Sequence, residues 1–267
     1  MNLRNLSKQI RRDILEMGFA GGINGAHFGG SLSLVEIMAS LYGEVMKFDV
    51  HNPVDESRDR LILSKGHGVI AQYAAMKQIG LFNDDLMSFK QNETRLYAHP
   101  SMNLKMGIEF SSGSLGQGLS LGVGTALALR RKQNNISRVF VILGDGECDE
   151  GSVWEAAMSA VSFRLDNIIA IVDRNHLQYD DDTEMVLPLE DFKAKWQSFG
   201  WEVSECNGHD TDELVKILSA KYNKPFVLVA DTVKGKGVSF MENNVAWHNG
   251  VLTKTLYDKA VQELESV

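Results

Sequence analysis

Two uninterrupted apolar runs, residues 139–143 (Val-Phe-Val-Ile-Leu) and 168–172 (Ile-Ile-Ala-Ile-Val), constrain this chain more than any other feature. Runs without polar alternation suit strands buried on both faces, as in a parallel sheet. The first ends in Gly144-Asp145-Gly146. The second leads into Asp173-Arg174-Asn175, with 28 residues between Gly146 and Asn175. A strand, a crossover helix and a second parallel strand thus bring a carboxylate and an amide to one sheet edge. Open α/β sheets bind ligands at that carboxyl-terminal edge. Gly144 and Gly146 let the backbone approach a ligand where a Cβ would clash. Hard oxygens from Asp145 and Asn175 suit a divalent cation such as Mg²⁺, which leaves part of its shell to phosphate oxygens. The spacing predicts a metal–diphosphate site, with Glu150 just beyond it to hold the loop or orient a metal-bound water.

The remaining patterning extends the same architecture. Strands are expected at 60–63, 139–143, 168–172 and 226–230, with 202–205 weaker. Helices are expected over 7–18, 69–79, 115–131, 191–199, 210–218 and 253–265, with a further turn at 86–89. Ser33-Leu-Val-Glu36 and Ser152-Val-Trp-Glu155 read as capping boxes. They would open helices running to about 46 and 163. Each Gly in 115–131 costs up to about 1 kcal/mol relative to Ala, so that helix is expected to pack closely against another backbone. Alternating strands and helices give an α/β class, a doubly wound parallel sheet with helices on both faces. One domain over 1–267 is expected.

Composition narrows the function. The net charge of −8, from 35 acids and 27 bases, argues against nucleic-acid binding. Two cysteines, Cys148 and Cys206, imply no disulfide framework and fit a reducing compartment. No signal peptide and no run of membrane-spanning length is seen, so a cytoplasmic location without a membrane partner is expected.

Four histidines lie beside glycine or proline: His27, His67, His99 and His248. Such loops expose side chains and backbone to ligands. Imidazoles bind phosphate when protonated and shuttle protons near neutral pH. Their spacing carries no zinc signature. His51, His176 and His209 read as structural, although His176 adjoins Asn175. Residues 112–118 (Ser-Gly-Ser-Leu-Gly-Gln-Gly) combine a flexible loop with a helix N-terminus, whose N–H groups and dipole would favour an anion; the alternative is a packing loop. Lys234-Gly-Lys-Gly after the fourth strong run is either a phosphate contact or a flexible loop with solvated lysines. Cys148 has no base with sequence support and is assigned no catalysis.

Taken together these segments resemble transketolase over nearly the whole chain. Gly144-Asp145-Gly146 to Asn175 is similar to the thiamine diphosphate motif of that superfamily. Alone it would also fit pyruvate-dehydrogenase-type enzymes or deoxyxylulose phosphate synthase. The histidine loops, residues 112–118 and Asp231-Thr-Val-Lys-Gly-Lys-Gly narrow the resemblance to transketolase. It implies a diphosphate-binding fold in which Asp145, Asn175 and the Leu177 carbonyl ligate Mg²⁺ or Ca²⁺. Gly146, His67 and His248 would contact the diphosphate. Leu115, flanked by Ser114 and Gly116, would lie against the cofactor rings. Glu150 matches an acidic position tied to subunit contacts beside the metal loop and is grouped with the cofactor residues. His27, His99 and His248 would line the substrate channel as acid–base groups. Trp247-His-Asn-Gly departs from the His-Gly pair usual in the family.

Single-chain transketolases continue into pyrimidine-binding and C-terminal domains. Those domains carry the glutamate that protonates the aminopyrimidine and the arginines that grip a sugar phosphate. The resemblance therefore implies the N-terminal subunit of a split enzyme, completed by a second chain in an α₂β₂ assembly. That enzyme would transfer a two-carbon ketol unit from a ketose or ketose phosphate to an aldose or aldose phosphate. A 2-oxo acid decarboxylating component and a catalytically silent cofactor-binding subunit are the alternatives.

Overall fold

The computed structural model describes residues 2–266. Five strands, β1 (Arg60–Leu63), β2 (Val139–Gly144), β3 (Ile168–Arg174), β4 (Glu202–Asn207) and β5 (Phe226–Asp231), form an all-parallel sheet in the order β1-β2-β3-β5-β4. The α-helices are α1 (Leu3–Ala20), α2 (Gly29–Leu32), α3 (Val35–Ser40), α4 (Val69–Gln78), α5 (Gly118–Arg131), α6 (Gly151–Ser162), α7 (Thr183–Val186), α8 (Phe192–Ser198), α9 (Thr211–Leu218) and α10 (Lys254–Glu265).

The strands divide their side chains between two cores by the period-2 rule. Phe140, Ile142, Ile169, Ile171, Phe226 and Leu228 pack on one face with residues of α1, α3, α4, α9 and α10. Val139, Val141, Leu143, Ile168, Ala170 and Val172 pack on the other with α5, α6 and α8. Both faces are covered, which is why the central strands carry no polar alternation. Each such Val, Ile, Leu or Phe contributes about 1.5–3 kcal/mol by leaving water. In α1, Leu3, Leu6, Ile10, Ile14 and Met17 recur at helical spacing and are buried, while Asn2 caps the helix by accepting from the Asn5 amide. Strand β4 lies at the sheet edge with Glu202 and Glu205 exposed, charges that discourage further pairing.

The helix caps expected at Ser33 and Ser152 do not form. Ser33 ends α2, and its hydroxyl donates to Asp173 Oδ2 at 2.6 Å. Glu36 is held by Arg11 at 2.5 Å and by His209 at 2.8 Å. The expected helix from 33 to 46 therefore starts two residues late and is two pieces, α3 and a π-helical turn, Leu41–Val45. Ser152 donates to the Gly116 carbonyl at 3.0 Å, and α6 starts at Gly151 without a side-chain cap. In both segments the polar groups that local pattern assigns to capping are taken by partners distant in sequence. Helix α5 begins at Gly118, three residues later than expected, because Gly116 turns the chain at φ +79°. Two of its glycines are tightly packed. A Cβ at Gly118 would overlap Ser64, and one at Gly122 would press on Val141, whereas Gly124 faces open space. Among the described residues no helix is long and apolar enough to cross a membrane.

Candidate active site

The carboxyl-terminal ends of β1, β2, β3 and β5 open onto a cavity of about 370 Å³. Register explains its first members: Gly144 on β2 stands beside Asp173 on β3, so Asp145 and Asn175 emerge together. The cavity is lined by Asp145, Gly146, Asn175 and Leu177, by His67 and His248, and by Lys65, Lys234 and Leu115. Clefts of about 570 and 730 Å³ lie elsewhere. The larger of them is lined by Arg11, Glu36 and His209, whose charges are already paired. Convergence of histidines on the Asp145–Asn175 pair, rather than size, marks the smaller cavity.

Asp145 is 2% exposed and has only backbone partners. One carboxylate oxygen accepts from its neighbour Gly146 at 2.9 Å, the other from the His176 amide at 2.7 Å. Burial, and then the nearby Asp173 carboxylate, push its pKa up to about 6. Such a group favours the arrival of a cation. Asn175 donates through Nδ2 to Asp173 at 3.2 Å, which directs its Oδ1 away from that carboxylate. The Leu177 carbonyl accepts from Lys234 Nζ at 2.6 Å, and the same ammonium is 3.3 Å from His248 Nδ1. This carbonyl thus already presents itself to a positive charge. Carboxylate, amide oxygen and carbonyl form a hard-oxygen donor set that fits Mg²⁺ or Ca²⁺. Among the described residues no group of three or more His, Cys, Asp or Glu side chains forms a metal cluster, so a metal here depends on this mixed set and on a ligand's own oxygens.

Beneath the cavity, Asp173 is completely buried and accepts from Lys65 Nζ at 2.5 Å, from Ser33, Asn175 and Thr232. Burial would raise its pKa, but the Lys65 ammonium and these donors hold it below the usual carboxylate value. Lys234 is 2% exposed, and burial followed by repulsion from Lys65 lowers its pKa to about 8.

The four loop histidines come together from points spread across the sequence. Ring centroids lie 5.5 Å apart for His27–His67, 5.6 Å for His27–His99, 5.5 Å for His27–His248 and 5.2 Å for His67–His248. A two-way backbone bridge between Ala26 and Gly250, at 2.9 and 3.0 Å, fastens the first histidine loop to the last. Desolvation, followed by the neighbouring cations and imidazoles, lowers the pKa of His27 to about 4, of His248 to about 3 and of His67 well below its usual value. His99 is lowered by burial and by Lys90. Neutral rings at pH 7 accept or donate protons through either nitrogen, as acid–base work requires.

The expected residues divide by position. His67, Leu115, Gly146, Glu150 and Leu177 line the cavity with the Asp145–Asn175 pair. His27 and His99 extend it through ring contacts. Ser114 is exposed and outside the lining. The Gly116 amide is already donated to Glu147 at 2.9 Å, so the anion at this helix start is the chain's own carboxylate. Glu147, Lys65, Asp173 and Tyr179 carry no signal of their own in the sequence. Asp173 and Lys65 adjoin motifs that do, but their burial depends on tertiary contacts. Tyr179 places its ring 5.0 Å from that of His248. Cys148 is buried against the Gly144 carbonyl, and burial pushes its thiol pKa far up, which leaves no nucleophile. His176 pairs with Asp231 at 2.6 Å, and its backbone amide positions Asp145.

A parallel sheet with a cavity at its carboxyl edge, lined by a carboxylate, an amide and histidines, defines a ligand-binding α/β protein. Residues 5–264 match the family model described as transketolase, thiamine diphosphate binding domain. The chain is 44% identical over 99% of its length to the 6-deoxy-6-sulfo-D-fructose transketolase subunit SqwG of Clostridium sp. (strain MSTE9), covering 97% of that protein. It is 37% identical over 97% of its length to an apulose-4-phosphate transketolase subunit from Phocaeicola vulgatus, covering 92% of it. The structure of transketolase from Leishmania mexicana superimposes with a TM-score of 0.90 at 28% identity, covering 99% of this chain and 41% of that one. The chain therefore spans about two fifths of that enzyme. It belongs to the transketolase family and corresponds to its N-terminal, thiamine diphosphate-binding part, which is a transferase component.

Proposed function

We propose that this chain is the diphosphate-binding half of a two-chain transketolase, inactive until a complementary subunit supplies the pyrimidine-binding and C-terminal domains. Full-length correspondence to proteins named as transketolase subunits supports this reading. An α₂β₂ assembly in the cytoplasm is the arrangement we expect. The observation that carries the active role is the convergence of His27, His67, His99 and His248 beside the Asp145–Asn175 cavity. A silent subunit has no need of such a cluster.

In this proposal Asp145, Asn175 and the Leu177 carbonyl hold Mg²⁺ or Ca²⁺, and His67, His248 and Gly146 meet the diphosphate. Leu115, between Ser114 and Gly116, lies against the cofactor rings, and Glu150 stands at the subunit contact. When bound, thiamine diphosphate supplies the nucleophilic carbon that accepts and passes on the two-carbon unit. His27, His99 and His248 polarise the ketose carbonyl and move protons at the sugar hydroxyls. Their lowered pKa values keep them neutral and able to act in both directions.

The named substrates of the two subunit relatives are anionic sugars, and we propose an anionic ketose donor here too. Among the described residues the cavity lining carries no arginine and its lysines face the diphosphate site, so the grip on such an end group falls to the partner. The test is ketol transfer from sulfonated and phosphorylated ketoses, followed by NMR, with and without the partner. Turnover only when both chains are present is expected. Full activity of the purified chain alone would overturn the two-chain reading, and turnover of 2-oxo acids instead would favour the decarboxylase alternative.

A further inference from the structure

Glu147 lies immediately after the Gly-Asp-Gly motif, in the wall of the cavity, and is 3% exposed. Among the described residues no lysine, arginine or histidine forms an ion pair with it. Its charge is met by donors from three separate segments. Oε1 accepts from the Ser64 hydroxyl and from the Gly116 amide at 2.9 Å, and Oε2 accepts from the Gly144 amide at 3.0 Å. Ser64 Oγ in turn accepts from the Gly118 amide at 3.0 Å, so both glycine amides at the start of α5 feed one carboxylate. This is the arrangement of an anion bound at a helix N-terminus, with the anion supplied by the chain.

The consequence falls on Leu115. Its neighbour Gly116 is fixed through its amide by Glu147 and through its carbonyl by Ser152. A Cβ at Gly116 would press into Ser152 and Glu150, so the turn has no slack. The same carboxylate fixes Gly144, the residue before Asp145. One side chain therefore sets the spacing between two cavity walls, the Leu115 wall and the Asp145 wall. We propose that Glu147 is a positioning residue that holds Leu115 against the thiamine diphosphate site, an inference that rests on the cofactor reading above. Glutamine is not an adequate substitute. With its oxygen on Gly116 and Ser64, its amide nitrogen faces the Gly144 N–H, donor against donor.

The test compares the full-length chain with its Glu147→Gln, Glu147→Ala and Ser64→Ala variants. Hydrogen exchange followed by mass spectrometry reads the peptides over 112–118 and 139–143. Calorimetric titration with thiamine diphosphate and Mg²⁺ reads affinity. Both Glu147 variants should speed exchange at 112–118 at least tenfold, leave 139–143 unchanged and raise the cofactor Kd at least tenfold. Ser64→Ala should fall between them and the parent. Formate should restore affinity to Glu147→Ala, where it has room, and not to Glu147→Gln. Three results would each overturn the proposal: unchanged exchange at 112–118, faster exchange with an unchanged Kd, or equal loss of protection in 139–143 in all three variants. If the parent binds no cofactor either alone or assembled with its partner subunit, the cofactor reading fails, while the exchange data still decide whether Glu147 holds the turn.

Discussion

Lys234 Nζ lies 2.6 Å from the carbonyl oxygen of Leu177, the backbone atom proposed as a metal ligand. An ammonium and a divalent ion compete for that oxygen. Lys234→Met should therefore tighten Mg²⁺ binding measured alone, because the carbonyl is released. It should weaken thiamine diphosphate binding about tenfold or more, because a buried cation facing the diphosphate is lost. Calorimetry with each ligand separates the two effects, and parallel changes in both would contradict the competition.

Asp145→Ala removes a carboxylate that is buried near a second one, Asp173. Metal-dependent cofactor affinity should fall at least about 100-fold, in keeping with loss of a principal metal ligand. Thermal stability without cofactor should not fall, since like-charge repulsion is relieved. A lower melting temperature with intact binding would refute the ligand role.

His27→Ala and His99→Ala should each lower kcat of the assembled enzyme by about 10²-fold, the usual scale of general acid–base catalysis. The cofactor Kd should shift little, because neither ring lines the cofactor cavity. Steady-state rates beside a cofactor titration check this, and unchanged rates would return both residues to a packing role.

Acid should destabilise the chain through its histidines. His27 and His248 have folded pKa values of about 4 and about 3, below the ordinary value of 6.5, and His67 and His99 are shifted the same way. As pH falls below 6.5 the unfolded chain takes up protons that the folded chain refuses, so stability falls. Asp145 works oppositely. Its folded pKa of about 6 exceeds 3.8, so the folded chain takes that proton first and some stability returns between pH 6 and 3.8. Burial raises Asp13, Glu147 and Asp149 in the same sense as Asp145, but the histidines, whose unfolded value is higher, act first as pH falls. The urea midpoint should drop between about pH 7.5 and 5, and drop less in the His27→Gln/His248→Gln double variant. Identical pH dependence in the two proteins would count against the shifts.

Glycines of one helix should respond in opposite directions. Gly118→Ala forces a methyl into Ser64 and should cost about 1–3 kcal/mol. Gly124→Ala meets open space and should stabilise by up to about 1 kcal/mol through helix propensity. Denaturant melts of the two variants against the parent decide it.

The metal-site pair is legible in the sequence because each half lies at the end of an apolar run. Parallel pairing then leaves little freedom in where Asp145 and Asn175 emerge. The histidine loops are legible as candidates through their glycines, but their convergence is not. It depends on contacts such as Ala26 with Gly250, which no local pattern encodes. Ser33 and Ser152 show the opposite failure. Their spacing from Glu36 and Glu155 matches a cap, yet each hydroxyl finds a stronger use far away, on Asp173 and on the Gly116 carbonyl. Glu147 is invisible for a related reason. An acid in an acidic loop reads as solvated until the donors from Ser64 and Gly116 are brought to it.

The bridge between Ala26 and Gly250 joins segments near the two ends of the chain. At ribosomal speeds of about 5–20 residues per second, the segment around His27 emerges on the order of tens of seconds before the one around His248. During synthesis the first histidine loop must wait without its partner segment. The histidine centre thus closes only after all five strands have been made, and a nascent chain can hold a complete sheet before it holds the cluster.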